Sequence, residues 1–435
     1  MKPSILRHLA FCVGTSVLLA GAATYSDPAH AARDKEHSTK GKTENAFPHT
    51  KRVEPKLALS QSAQRKLNKA SDLLQEDKLD EAKTLLDEVL GDAKLSAYGK
   101  ALAMQLLSQV SWQREDYAGA TSQLKQAIAL DALPNANQFP AMYQLAQLYL
   151  MDEKYQDALA AVDDYMKQSG NTPAEALALK GNALYRLEKY QDAIDAMKEA
   201  LAKADKPNDS WRQIMMASFF ELNQFDEAAK IAEADLAKDP NNKKLIQQLG
   251  TIYLNAKQEQ KALQLMADAK AKGLFTTQDD YKQLAQLYNF AEKSKDAAQV
   301  LEEGFQKGVI QPSFEMYKLL GDSYSLAEDE AKAIEAYAKA SPLAKDGEAD
   351  FLRGQLLVNA QRWQEARDAL SKAIQRGVKR MGAAYVLRGN AENELGDKQA
   401  AIADMEKARG YDETRKMAET WLRSIKTGGV PQKKK

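Results

Sequence analysis

The sequence predicts an all-α fold, a right-handed α-solenoid (superhelix) of about ten helix-turn-helix units, and three observations predict it. First, a small residue followed three places on by an aromatic or leucine recurs about every 35 residues along the 435-residue chain. Its first positions read Ala70, Ser108, Ala146, Gly181, Met216, Gly250, Ala285, Gly321, Gly354 and Gly389. Second, an Ala–apolar–Ala set follows at i, i+4 and i+7, one face of a second helix, as in Ala262, Met266 and Ala269 after Gly250 and Tyr253. Third, turn signals such as Met151-Asp-Glu-Lys and Leu395-Gly-Asp-Lys separate the two helices. No such unit buries its apolar face alone, so a period of this size means stacked helical hairpins. An ordinary bundle of Ala-rich helices would not hold the register for so long.

The elements follow in order. Lys2 and Arg7 precede an apolar run from Leu9 to Ala23, and Ala29-His30-Ala31 places small residues where a signal peptidase reads them. This predicts a secretory signal peptide over 1–31, cleaved after Ala31, and a periplasmic location. The run is shorter than the roughly 20 residues of a spanning helix. An uncleaved membrane anchor is the competing reading of the same stretch. Residues 32–59 are polar and charged, the composition of a disordered tether. The solenoid then occupies 60–411, with Ser60 or Ser62 as first N-cap. A capping helix is expected over 412–426, begun by Asp412, with Met417, Trp421 and Ile425 as the apolar face that closes the open end. Residues 427–435, ending in three lysines, read as a flexible basic tail.

The register resembles that of the tetratricopeptide (TPR) repeats. Ten units begin near Ala63, Ala101, Phe139, Ala174, Asp209, Lys243, Gln278, Phe314, Gly347 and Gly382, and the family's closing proline appears at Pro240. Departures are local. Met216 is large where a small residue is expected, Ser111 and Glu392 replace the aromatic, and the first two linkers carry extra residues, Asp92–Tyr98 and Leu133–Gln138.

Catalytic chemistry is sparsely provided for. All four histidines precede Lys51, and the single cysteine, Cys12, lies in the signal. Ser-His and Cys-His nucleophile systems and zinc sites built on His or Cys are thereby excluded from the repeats. There is no Gly-x-x-x-x-Gly-Lys-Ser/Thr phosphate loop and no Gly-x-Ser-x-Gly elbow. Acidic pairs such as Asp163-Asp164 and Asp279-Asp280 leave a carboxylate-based enzyme as the weaker reading. Neighbouring helical residues diverge, and a solvated surface accounts for such charges. The 61 basic and 61 acidic side chains balance, which gives no general pull towards nucleic acid or an anionic membrane. No catalytic residue, cofactor or metal is expected.

The resemblance implies a partner-binding groove lined by the first helix of each unit, at its second, fifth, ninth, twelfth and thirteenth positions. Carried over, these positions give an apolar and aromatic zone, Trp112, Tyr143, Tyr185 and Phe220, and a polar zone. The polar zone comprises Lys244, Gln247, Lys282, Gln286, Asn289 and Lys318. Aromatics serve as anchors and amides satisfy an extended peptide. The same aromatics could equally pack one unit on the next.

A signal, a tether, ten units and the ending Ala384-Tyr-Val-Leu-Arg-Gly-Asn-Ala-Glu-Asn-Glu-Leu-Gly-Asp-Lys also resemble periplasmic TPR proteins associated with TonB-type energy transduction. That resemblance implies a protein-interaction scaffold of an envelope complex of TonB type, with protein or peptide partners. A scaffold for envelope polysaccharide export or cell-wall assembly is the alternative.

Overall fold

The computed structural model describes residues 47–206 and 208–426. The expected signal peptide and the expected basic tail lie outside the described residues. Among the described residues there are 21 α-helices, one 3-10 turn at Ser341–Leu343 and no strand.

The chain divides into two compact halves, Met1–Asp235 and Leu236–Lys435. In the first lie α1 (Gln61–Gln75), α2 (Leu79–Leu90), α3 (Ala97–Gln113), α4 (Tyr117–Ala129), α5 (Asn135–Met151), α6 (Tyr155–Ser169), α7 (Ala174–Arg186), α8 (Tyr190–Lys203) and α9 (Asp209–Glu221). The division falls within α10 (Phe225–Lys238). In the second lie α11 (Lys243–Asn255), α12 (Glu259–Ala271), α13 (Gln278–Phe290), α14 (Ser294–Gln306), α15 (Phe314–Leu326), α16 (Glu330–Ala340), α17 (Glu348–Asn359), α18 (Trp363–Arg376), α19 (Met381–Glu394), α20 (Lys398–Ala408) and α21 (Asp412–Lys426).

Odd and even helices pair into ten hairpins, and α21 follows alone. The five unit starts from Ala174 to Phe314 coincide with helix starts. Of the extra linker residues before them, only 97–98 and 135–138 fall within the longer helices α3 and α5.

Every hairpin closes with the same turn. At each hairpin turn one residue is left-handed, from Asp77 (φ 58°) through Glu188 (φ 60°) to Gly396 (φ 86°). The next N–H reaches back five residues, as Lys78 to Leu73 and Lys189 to Leu184, both at 2.9 Å. This is the Schellman bond that satisfies the last carbonyls of the first helix. The small residues then let paired helices approach. A Cβ at Gly321 would lie 2.6 Å from the Tyr337 ring, whereas at Gly250 it would meet only Leu265, at 4.0 Å. Close approach therefore explains Gly321 but not Gly250. Gly321→Ala is expected to cost about 1–2 kcal/mol by overpacking. Gly250→Ala should leave the melting temperature unchanged or higher, since glycine weakens a helix interior. Thermal melts of both variants check the pair.

Three sequence expectations meet differences. Met216, large in a small-residue position, is fully buried without disturbing its hairpin. In α21 the buried face is Thr414, Ala418 and Leu422, one residue round from the expected stripe, and Met417 is 58% exposed. The reason is Thr414, whose hydroxyl donates to the Ala408 carbonyl at 2.6 Å and so buries a residue that reads as polar. Finally, residues 47–59, read as the end of a disordered tether, are non-helical but hydrogen-bonded along the first half. Thr50, Arg52 and Ala58 all make side-chain or backbone bonds to it. The rest of the tether lies outside the described residues.

Candidate functional site

In the first half the four expected groove aromatics are half-buried and paired. Trp112 meets Tyr117 with centroids 5.1 Å apart, Tyr185 meets Tyr190 at 5.7 Å, and Phe220 meets Phe225 at 5.2 Å. Each pair joins the end of a first helix to the first residue of the second, across the Schellman turn. Tyr143 packs on Tyr165 at 5.5 Å. Burial raises the Tyr143 phenol well above its ordinary value, with Glu175 adding to the effect. Burial, then Glu221, raises Tyr185 in the same direction. Tyr185 also packs against the core clusters around Ala183 and Met197. These rings hold hairpins together more than they form an open row.

In the second half α11, α13 and α15 lie side by side, fastened by polar bonds. Lys243 Nζ reaches Asp280 Oδ2 at 2.5 Å, Lys282 Nζ reaches Glu315 Oε1 at 2.5 Å, and Asn289 Nδ2 donates to Ser323 Oγ at 2.8 Å. Burial pushes Asp280 up, but hydrogen bonds from Lys243 and Thr277 outweigh it and hold the carboxyl below its ordinary value. Lys318 pairs with Asp322 at 2.7 Å, and Asp322 also accepts the Tyr337 hydroxyl at 2.8 Å. Two of the three expected groove lysines, Lys282 and Lys318, are thus paired with carboxylates of the fold. Lys244, Gln247 and Gln286 are exposed.

The sequence reading missed two residues. Phe290 is 69% exposed and Leu326 is 64% exposed, at the thirteenth positions of α13 and α15. Neighbouring helices pack about 8–10 Å apart, so equivalent positions on them are adjacent. The signal was present: the thirteenth positions otherwise hold mostly Gln, Arg, Asn or Glu, and two consecutive large apolar residues stand out. Large apolar side chains exposed on adjacent helices are candidates for an interaction site.

Among the described residues no cluster of His, Cys, Asp or Glu has metal-binding form, and no helix is long and apolar enough to cross a membrane. Two family models match the chain: the N-terminal TPR repeats region of Psidin over residues 144–273, and a tetratricopeptide repeat over 351–414. The chain carries tetratricopeptide repeats. The register between and beyond those matches is the same, which extends the TPR description to all ten hairpins.

Solved structures of TPR proteins are similar at low identity. One from Parabacteroides merdae is 15% identical over 60% of this chain and 99% of its own, with a TM-score of 0.36. The C-terminal part of one from Cytophaga hutchinsonii is 15% identical over 64% of this chain and 99% of its own, at 0.41. YrrB, described as a TPR protein with an unusual peptide-binding site, is 17% identical over 45% of this chain and 99% of its own, at 0.37. No curated protein matches the sequence. TPR repeats are protein-interaction modules, and that coarse role belongs to this chain.

Proposed function

We propose that this TPR protein is a non-catalytic scaffold of the bacterial cell envelope that docks a peptide segment of a partner across the first helices of its second half. The observation that carries the reading is Phe290 and Leu326, exposed at groove positions beside Gln286 and Asn289. Apolar anchors flanked by amides suit an extended segment that buries two side chains and satisfies its backbone. Lys244, exposed at the opposite end of the first helices on α11, favours an acidic residue further along the ligand.

Export rests on the apolar run and Ala29-His30-Ala31. Service to a TonB-type uptake system rests on the resemblance of the last repeat; polysaccharide export or cell-wall assembly is the other machinery it would fit. A photo-crosslinking amino acid at Gln286, in cells producing the full chain, tests docking and context together. A discrete crosslinked envelope protein supports the reading, and its identity chooses between the machineries. Crosslinks only from the second helices, with none from Gln286, overturn it. For export, the mature protein is expected to begin at Ala32 and leave on osmotic shock. A chain that keeps Lys2 and sediments with membranes shows the anchor instead.

A further inference from the structure

Residues 47–59 run along the edge of the first half where one repeat joins the next. Thr50 Oγ1 donates to the Gln168 carbonyl at 2.7 Å, near the end of α6. Arg52 spends its whole guanidinium on the linker before α5. Its Nε donates to Asp131 Oδ1 at 2.7 Å, NH1 to Asn135 Oδ1 at 2.6 Å, and NH2 to the carbonyls of Asp131 at 3.0 Å and Leu133 at 2.8 Å. Glu54 accepts the Asn135 N–H at 3.2 Å. Ala58 accepts from Ser96 Oγ, the N-cap of α3, at 2.5 Å. Phe47 lies against Phe139, with centroids 4.8 Å apart. Three successive linkers are engaged by one short segment.

The linkers are shaped for it. The extra residues Asp92–Tyr98 and Leu133–Gln138, unexplained by the repeat, supply Ser96, Leu133 and Asn135. The third linker contributes Gly170, left-handed at φ 66°, where a Cβ would lie 2.6 Å from the His49 carbonyl oxygen. The two long linkers thus have one explanation, and the absent side chain of Gly170 leaves room for the segment. The segment itself is bound as a ligand is bound. It adopts no helix or strand, Val53 is 86% exposed, and Lys51, Lys56 and Leu57 also face solvent. Recognition falls on the aromatic and the arginine, whose side chain is only 9% exposed. A guanidinium with four acceptors in fixed places is a specific contact that lysine cannot reproduce.

We propose that this edge is a second peptide-binding site of the TPR protein, reading an aromatic residue and, five places later, an arginine, with residues 47–59 as its resident competitor. Its partner is a protein with an extended segment of that pattern. The resident strap is covalently attached, so its effective concentration reaches the millimolar range and a free peptide must displace it. The site is therefore closed until the strap is withdrawn. Nothing in this depends on the groove of the second half.

The test uses a fluorescent synthetic peptide of residues 46–59 and the full chain. Wild type should bind it at least about tenfold more weakly than the Phe47→Ser/Arg52→Ser variant, whose own strap is loosened. Peptide carrying Arg52→Ser should not bind, and adding Asp131→Ala/Asn135→Ala to the protein should abolish capture. Arg52→Lys, which keeps the charge but not the fork, should open the site partially. A loosened variant with an unchanged helical spectrum that ignores the peptide overturns the proposal. So does loss of helical structure in both strap variants, because a strap on which the fold depends is not exchangeable.

Discussion

Replacing Arg388 with alanine is expected to cost about 3–5 kcal/mol at mildly alkaline pH and distinctly less in mild acid. Arg388 Nε donates to Asp404 Oδ2 at 2.6 Å and NH2 to Oδ1 at 2.8 Å, while NH1 reaches Ser371 Oγ at 3.1 Å. Glu392, in the position where other repeats put an aromatic, lies beside this pair at 3.7 Å from Nε and is 7% exposed. Its second carboxylate oxygen is buried with no hydrogen-bond partner among the described residues.

Burial and then the neighbouring Asp404 push the Glu392 carboxyl up to about 7; Asp397 adds to this, and Arg388 and Arg367 oppose it. A carboxyl raised in the folded state contributes stability that is full below its ordinary range and is lost as pH rises through about 7. Above that pH, removal of Arg388 leaves two buried carboxylates facing each other. Below it, Glu392 takes a proton and the damage shrinks. Denaturation midpoints at both pH values, with hydrogen exchange read over α17 to α21, check this. Glu392→Gln should flatten the wild-type slope. A pH-independent penalty for Arg388→Ala would show that Glu392 does not change its protonation across this range.

Phe290→Ala should weaken partner capture by about 2 kcal/mol or more, roughly thirtyfold, with the melting temperature nearly unchanged. The ring is 69% exposed and supports little of the fold. Tyr185→Ala is expected to behave in the opposite way. Its ring lies against Tyr190 and two core clusters, so its loss should lower the melting temperature and affect capture only through stability. Binding of the crosslinked partner and thermal melts, measured on both variants, separate anchor from packing. If Tyr185→Ala abolishes capture at full stability and Phe290→Ala does not, the docking surface lies in the first half.

Most of the architecture was legible because its causes are short-range. Small residue, aromatic and turn recur within one hairpin, so the starts of α7, α9, α11, α13 and α15 are read directly from the register. The face of α21 was misjudged because Thr414 buries its hydroxyl in a bond to a carbonyl six residues back, which composition does not reveal.

The candidate site was only half legible. Tyr117, Tyr190 and Phe225 stand five residues beyond the expected groove aromatics, and their presence already argued for pairing across the turn. The neutralisation of Lys282 depends on Glu315, 33 residues away on the next first helix, and so needs the stacking geometry. The strap was the least accessible feature. Arg52 finds its acceptors 79 to 83 residues along the chain, among residues whose polar composition alone reads as tether and linker.

The strap also decides where mechanical load enters. Tension applied through the chain ahead of Phe47 meets the third repeat first, at Phe139 and Gln168, and not the outer tip of α1. Such a pull is carried in shear by the Phe47 contact, the Thr50 bond and the Arg52 fork before any helix is strained. The first hairpin is thereby shielded from unravelling. Whatever holds the chain from that side grips it at the third repeat, and the two repeats ahead of it stay free of the load until the fork gives way.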